Sequence, residues 1–178
     1  MTNTRRFVLV LIGWTLTSAC STDRNITGPS RDDSPVQTDA VTYRLERLPS
    51  AYRAYVTATF VNRSASPVYF GRCNPQSTGP MYGLRRTGAD STAALFYDWA
   101  WACVGSVPAG EIPVGGSVTV RVPVGSVDQP SMQPPLRPEE LVGLMRVELS
   151  LCKDYSDSGD CVPLAQNLSS SNAFLVTY

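Results

Sequence analysis

Tyr52-Arg53-Ala54-Tyr55-Val56-Thr57-Ala58-Thr59-Phe60-Val61 sets Ala54, Val56, Ala58 and Phe60 at alternate positions, with Arg53, Tyr55, Thr57 and Thr59 between them. A period of two belongs to an extended chain with one face buried, because successive side chains of a strand point to opposite sides. Upstream, Val41, Tyr43 and Leu45 alternate in the same way with Thr42, Arg44 and Glu46. Downstream, Asn62-Arg63-Ser64-Ala65-Ser66-Pro67 supplies turn residues and Val68-Tyr69-Phe70 starts another strand. Runs at 81–86, 93–102, 117–124, 143–152 and 173–178 follow, for about eight strands in all. They are separated by clusters such as Thr87-Gly88-Ala89-Asp90 and Gly115-Gly116. No run carries a helical stripe. The Pro-rich stretch 130–138 leads into Pro138-Glu139-Glu140-Leu141, which can open one helical turn with Pro at its first position and acids at its positive end. Many short strands without intervening helices predict an all-β fold of two antiparallel sheets packed face to face.

Composition narrows the function. At 178 residues, 43% hydrophobic and 17% charged, the chain suits one compact domain with a real core. There is no His, which removes the Ser-His-Asp and Cys-His catalytic layouts and the His-containing zinc sites. Lys and Arg number 15 against 15 Asp and Glu, with the Arg scattered, so nothing here tracks a phosphate backbone and nucleic acid is not an expected partner. The expectation is a non-catalytic protein without cofactor or bound metal.

The N-terminus runs Arg5-Arg6, an apolar stretch over 7–16, then Thr17-Ser18-Ala19-Cys20. That is the basic, apolar, small-residue order of an export signal. The apolar run is too short to cross a bilayer, which needs about 20 residues. Thr17-Ser18-Ala19-Cys20 resembles the bacterial lipobox, with Leu16 one place earlier than the usual Leu. The resemblance implies that residues 1–19 are a signal peptide, that Cys20 is lipidated, and that the chain sits on the extracytoplasmic side of a bacterial membrane. Ser21 after the lipidated cysteine points to the outer membrane. Loss of Arg5 and Arg6 leaves 13 basic against 15 acidic residues, a net of −2. Residues 21–38 are Ser, Thr, Asp, Asn, Gly and Pro with few apolar side chains, a flexible tether reaching about 20–25 Å. The domain boundaries expected are therefore 1–19, 20–38 and 39–178.

Five cysteines leave an odd one in an exported chain, and lipidation of Cys20 removes it. Cys73, Cys103, Cys152 and Cys161 can pair in three ways, and chain order favours Cys73 with Cys103 and Cys152 with Cys161. On the chain-entropy view such rings stabilise by about 3.7 and 2.7 kcal/mol respectively.

Several stretches have both a chemical and a structural reading. Tyr97-Asp98-Trp99-Ala100-Trp101-Ala102-Cys103 puts Tyr97, Trp99, Trp101 and Cys103 on one strand face. Exposed, these rings would form a stacking platform for a glycan or peptide, as in a carbohydrate-binding accessory module. Buried, a Trp beside a disulfide is a normal core feature of immunoglobulin-like domains, and at least one of Trp99 and Trp101 is expected in the core. Asp154, Asp157 and Asp160 lie between Cys152 and Cys161. Their spacing is not the alternation of a calcium-binding EF-hand loop, so they read as a solvated hairpin tip. Ser150-Leu151-Cys152-Lys153 matches the S-x-x-K string of penicillin-recognising enzymes, but on a strand it cannot bring Ser and Lys one helical turn apart. Glu139, Glu140 and Glu148 are acids that a glycosidase pair would need. Asn25, Asn62 and Asn167 open N-x-[ST] strings, of no consequence outside a eukaryotic secretory route.

The layout resembles immunoglobulin-like domains of bacterial lipoproteins, including those related to the intracellular proteinase inhibitor sandwich. The resemblance rests on Phe60-Val61-Asn62, Ser66-Pro67-Val68-Tyr69, the following cysteine, an alternating Val/Thr strand and a last strand after Ser171-Asn172. Ile112-Pro113-Val114-Gly115-Gly116 stands where that family has a Pro-Gly turn. It implies an antiparallel sandwich over about residues 40–178 and brings no inhibitory signature with it.

Overall fold

A computed structural model describes residues 32–49, 51–87, 93–98, 108–125, 138–156 and 159–178, with the backbone alone at 93–98, 138 and 140. The fold is all-β. In chain order the elements are β1 (Val36–Thr38), β2 (Thr42–Arg44), β3 (Glu46–Leu48), β4 (Ala51–Val61), β5 (Val68–Phe70), β6 (Tyr82–Thr87), β7 (Ala93–Asp98), β8 (Gly110–Ile112) and β9 (Ser117–Gly125). After these come α1 (Pro138–Leu141), β10 (Gly143–Leu149), β11 (Cys152–Tyr155), β12 (Cys161–Pro163), α2 (Gln166–Ser169) and β13 (Phe174–Thr177).

The stretch that opened the reading is the central strand β4. It pairs antiparallel with β9 from Arg53↔Gly125 to Val61↔Ser117. Its other edge is shared end to end by β3, with Glu46↔Arg53, and β1, with Val36↔Phe60. A second sheet runs in the order β2-β13-β10-β6-β7 and a third in the order β12-β11-β5-β8. All three feed one core: Val56, Ala58 and Phe60 from β4, Val120 and Val122 from β9, Met145, Val147 and Leu149 from β10, Val68 and Ile112 from the third sheet. The residues predicted to face inward on β4 are the buried ones.

The strands outnumber the sequence estimate for two reasons: β1, β8 and β12 are three-residue strands too short to show a period, and two alternating runs each serve two sheets. The run through Leu45 leaves the second sheet at the end of β2 and enters the first at β3. Buried Leu45 occupies the crossing, its N–H donating to the Thr177 carbonyl at 2.8 Å. The run 143–152 divides at Ser150-Leu151, where Ser150 N–H donates to the Met81 carbonyl at 2.8 Å and the Leu151 carbonyl accepts from Leu164 N–H at 2.8 Å. Side-chain alternation continues up to the corner residue itself, Leu45 or Leu151, so the period before it does not announce the change of sheet.

Two further features depart from expectation. β13 pairs parallel with β2, through Leu175↔Thr42 to Thr177↔Arg44, whereas antiparallel pairing was expected throughout. These strands come from opposite ends of the domain, so no hairpin dictates their direction. β1 lies inside the segment 20–38 read as tether: Val36 is fully buried and Thr38 nearly so, which moves the start of the folded domain upstream of residue 39. A three-residue strand among Asp, Ser and Pro is too short to show a period.

The β8–β9 turn explains its glycines. Gly115 sits at φ 75°, and Gly116 N–H donates to the Pro113 carbonyl at 2.8 Å. A β-branched side chain at Gly115 would be strained there.

Candidate functional site

Of the residues singled out in the sequence, the Cys152–Cys161 hairpin is the best defined. The disulfide joins β11 to β12 with Cα atoms 5.5 Å apart, buried Cys152 at one end and exposed Cys161 at the other. Cys73 is buried and disulfide-bonded, and its expected partner, Cys103, lies outside the described residues, as does Cys20. In the hairpin tip Asp154 is exposed and its carboxylate accepts from Tyr155 N–H at 2.9 Å. Asp160 N–H donates to the Ser156 hydroxyl at 3.0 Å, and Ser156 N–H to the Asp160 carbonyl at 2.9 Å. The turn thus uses its polar groups on itself. Asp157 is outside the described residues, and among those described no three acids, cysteines or histidines gather as a metal site.

Tyr97 lies on β7, in register with Leu84 of β6. Trp99 and Trp101 are outside the described residues. Lys153 is on β11, in extended chain, which removes the helical turn that the S-x-x-K chemistry requires. Glu148 is held by the Arg85 guanidinium across β10 and β6. Asn62 is fully buried, with Nδ2 donating to the carbonyls of Ser66 and Ile112, each at 2.9 Å, and Oδ1 accepting from the Ser64 hydroxyl at 2.7 Å. A side chain so engaged cannot carry a sugar. It closes the end of β4 onto the β8–β9 turn.

A polar pair of buried Tyr43 and exposed Asp39 ties the β1–β2 segment to β4. The Tyr43 hydroxyl donates to Asp39 and accepts from Ala40 N–H at 2.9 Å, while the Asp39 carboxylate also accepts from Thr57 N–H at 3.0 Å. Burial, then the Asp39 carboxylate, pushes Tyr43 up to about 12. Burial acts to raise Asp39, but the Tyr43 hydroxyl and Thr57 N–H outweigh it and hold the carboxyl below 3.8. The pair is structural, since both groups are consumed within the fold.

The structure adds three depressions that sequence could not place. One, of about 440 Å³, lies beside the disulfide between Glu148, Arg85, Ser150, Cys161, Gln166 and Ser169. An apolar groove of about 230 Å³ is formed by Pro35, Phe60, Val61, Val68, Leu164 and Leu168. The third, of about 520 Å³, is lined by Arg44, Leu45, Glu46, Arg47, Tyr52 and Tyr178 where the first two sheets meet. Its lining comes from the consecutive strands β2, β3 and β4 and from Tyr178 beyond β13, which is distant from them in sequence. The one visible signal was the density of Arg and Tyr over 43–55, which β-propensity and solubility explain equally well.

No protein-family model and no curated protein matches the chain. Among solved structures, the X-ray structure of the structural-genomics target SoR45 aligns over 80% of this chain and 83% of its own, at 16% identity and a TM-score of 0.37. Alkylpurine DNA glycosylase AlkC of Pseudomonas fluorescens, bound to DNA containing an abasic-site analog, aligns over 85% of this chain and 33% of its own, at 12% identity and a TM-score of 0.31. Neither likeness carries an argument about activity. The described residues define an all-β, disulfide-stapled domain with depressions at its sheet junctions.

Proposed function

We propose that the chain is an extracytoplasmic bacterial lipoprotein, tethered to the membrane through Cys20, whose immunoglobulin-like domain acts by binding or as a structural part of the cell envelope rather than by catalysis. The observation that carries this reading is the Cys152–Cys161 disulfide in a chain that begins with the basic, apolar, small-residue and cysteine order of an exported lipoprotein. Disulfides persist in oxidising compartments and are rare in the cytosol. The fate of two acids supports the non-catalytic part: Glu148 is in an ion pair, and the Asp39 carboxylate accepts from the Tyr43 hydroxyl and Thr57 N–H.

Membrane partition and intact mass of the mature protein test it. The parent should fractionate with membranes and carry acyl mass on Cys20. Cys20→Ala should release a soluble product or one that is not cleaved at the same bond. Unchanged partition and mass in that variant would overturn the reading.

A further inference from the structure

The hairpin of β3 and β4 gathers arginines and tyrosines on both of its sides. On one side Arg47 pairs in register with Tyr52, and both line the 520 Å³ cleft with Arg44 and Tyr178. The Tyr52 and Tyr178 rings meet edge to face with centroids 6.4 Å apart. Arg44 and Arg47 are exposed, and neither forms an ion pair among the described residues. On the other side the Arg121 guanidinium lies 3.6 Å from the centroid of the Tyr55 ring and that of Arg53 5.2 Å from it. Arg121 is exposed and without an ion pair among the described residues. Stacking fixes the plane of its guanidinium and leaves the N–H donors on its edge facing solvent. Beside it on the same face the Thr59 and Thr119 hydroxyls sit 2.9 Å apart.

Three carboxylates are close to these groups. Glu46 joins the two sides, lining the cleft and approaching Arg53 at 4.0 Å. Glu139 is near Tyr178, whose hydroxyl is raised above its ordinary value by desolvation first and by the charge of Glu139 second. The third, Asp39, accepts from Thr57, the register partner of Arg121, so four guanidiniums face three carboxylates and the surface keeps a single positive excess.

We propose that this arginine and tyrosine surface binds an acidic glycan, a chain of carboxylate-bearing sugars, a proposal that rests on the reading of the protein as an extracytoplasmic binding domain. Tyrosine rings and guanidinium planes offer flat surfaces to pyranose rings, and a guanidinium edge takes a carboxylate through two parallel hydrogen bonds. The two sets of basic groups lie on opposite faces of the hairpin, and because β3 is at the sheet edge a polymer that repeats its charge along its length can pass over that edge and meet both. An anionic membrane surface fits less well, because of the exposed large apolar side chains only Tyr178 belongs to this surface, while Val114, Val162 and Leu168 lie outside it.

The test is calorimetric titration of the full-length protein, purified in detergent, with oligogalacturonate and with the same oligomer fully methyl-esterified. The acid form should bind, with the ester at least tenfold weaker and affinity falling as salt is raised. Arg47→Gln and Arg121→Gln should each weaken binding by about tenfold without moving the thermal melt, since both side chains are on the surface. Absence of binding, equal binding of the ester, or unchanged affinity in both variants would overturn the proposal. So would binding to phosphatidylglycerol vesicles that depends on the same arginines while the oligomer is ignored. Neither variant touches Cys20, so a failed titration leaves the membrane partition of the parent as a separate result.

Discussion

Asn62 shows how one side chain can change meaning between sequence and structure. In the chain it opens an N-x-[ST] string. In the fold it is buried and its side chain ties the end of β4 to two other segments, so Asn62→Ala should strand the Ser66 and Ile112 carbonyls. The expected cost is about 1–3 kcal/mol, read as a lower urea midpoint with an unchanged slope. Tyr43 and Asp39 give a pH signature of the same local kind. Because the folded Tyr43 is raised from 10.0 to about 12, its contribution to stability is complete below pH 10 and is lost as the pH climbs towards 12. Asp39 is lowered, so its contribution is present above 3.8 and is lost as the pH falls through its folded value. Thermal melts across alkaline pH should show the Tyr43 loss in the parent and its absence in Tyr43→Phe, which is less stable at neutral pH. A parent melt that stays flat from pH 10 to 12 would refute the assignment.

At the scale of elements, the corners carry the architecture. Leu45 and Leu151 each sit where one alternating run passes from one sheet to another, and both are buried. Leu151→Ala should cost about 2–5 kcal/mol by opening a cavity at the junction of β10 and β11. Val114→Ala, at a turn position 56% exposed, should change stability by less than about 0.5 kcal/mol. A comparable loss at both sites in chemical denaturation would mean that the corner is not special. The β11–β12 hairpin depends on its disulfide in another way. Replacing Cys152 and Cys161 together by Ser should lower stability by about 2.7 kcal/mol, chiefly by loosening the unfolded chain.

At the scale of the molecule, the first and last strands hold the domain shut. Thr38 N–H donates to the Asn172 side-chain oxygen at 2.8 Å, Asn172 Nδ2 donates back to the Thr38 hydroxyl at 2.9 Å, and β2 lies parallel to β13. A chain beginning at Asp32 should therefore melt like the parent domain. One beginning at Asp39 loses β1 and the burial of Val36, about 1.5–3 kcal/mol for that side chain alone, and leaves Asn172 without its partner. Equal melting of the two truncations would show that β1 is dispensable.

The local pattern was legible in the chain. Alternation at Ala54, Val56, Ala58 and Phe60 named the buried face of β4, the turn residues after Asn62 ended it, and the short ring between Cys152 and Cys161 found its disulfide. Each of these depends on neighbours a few residues apart, where side-chain period and ring size are fixed by covalent geometry. Partner choice was not legible. That β13 runs parallel to β2 and that Arg121 stacks on Tyr55 depend on contacts between residues far apart in the chain, 133 positions for Leu175 and Thr42 and 66 for Arg121 and Tyr55, where many pairings satisfy the same alternation. Only packing of all the sheets around one core selects among them, and the arginine and tyrosine surface exists only once that selection has been made.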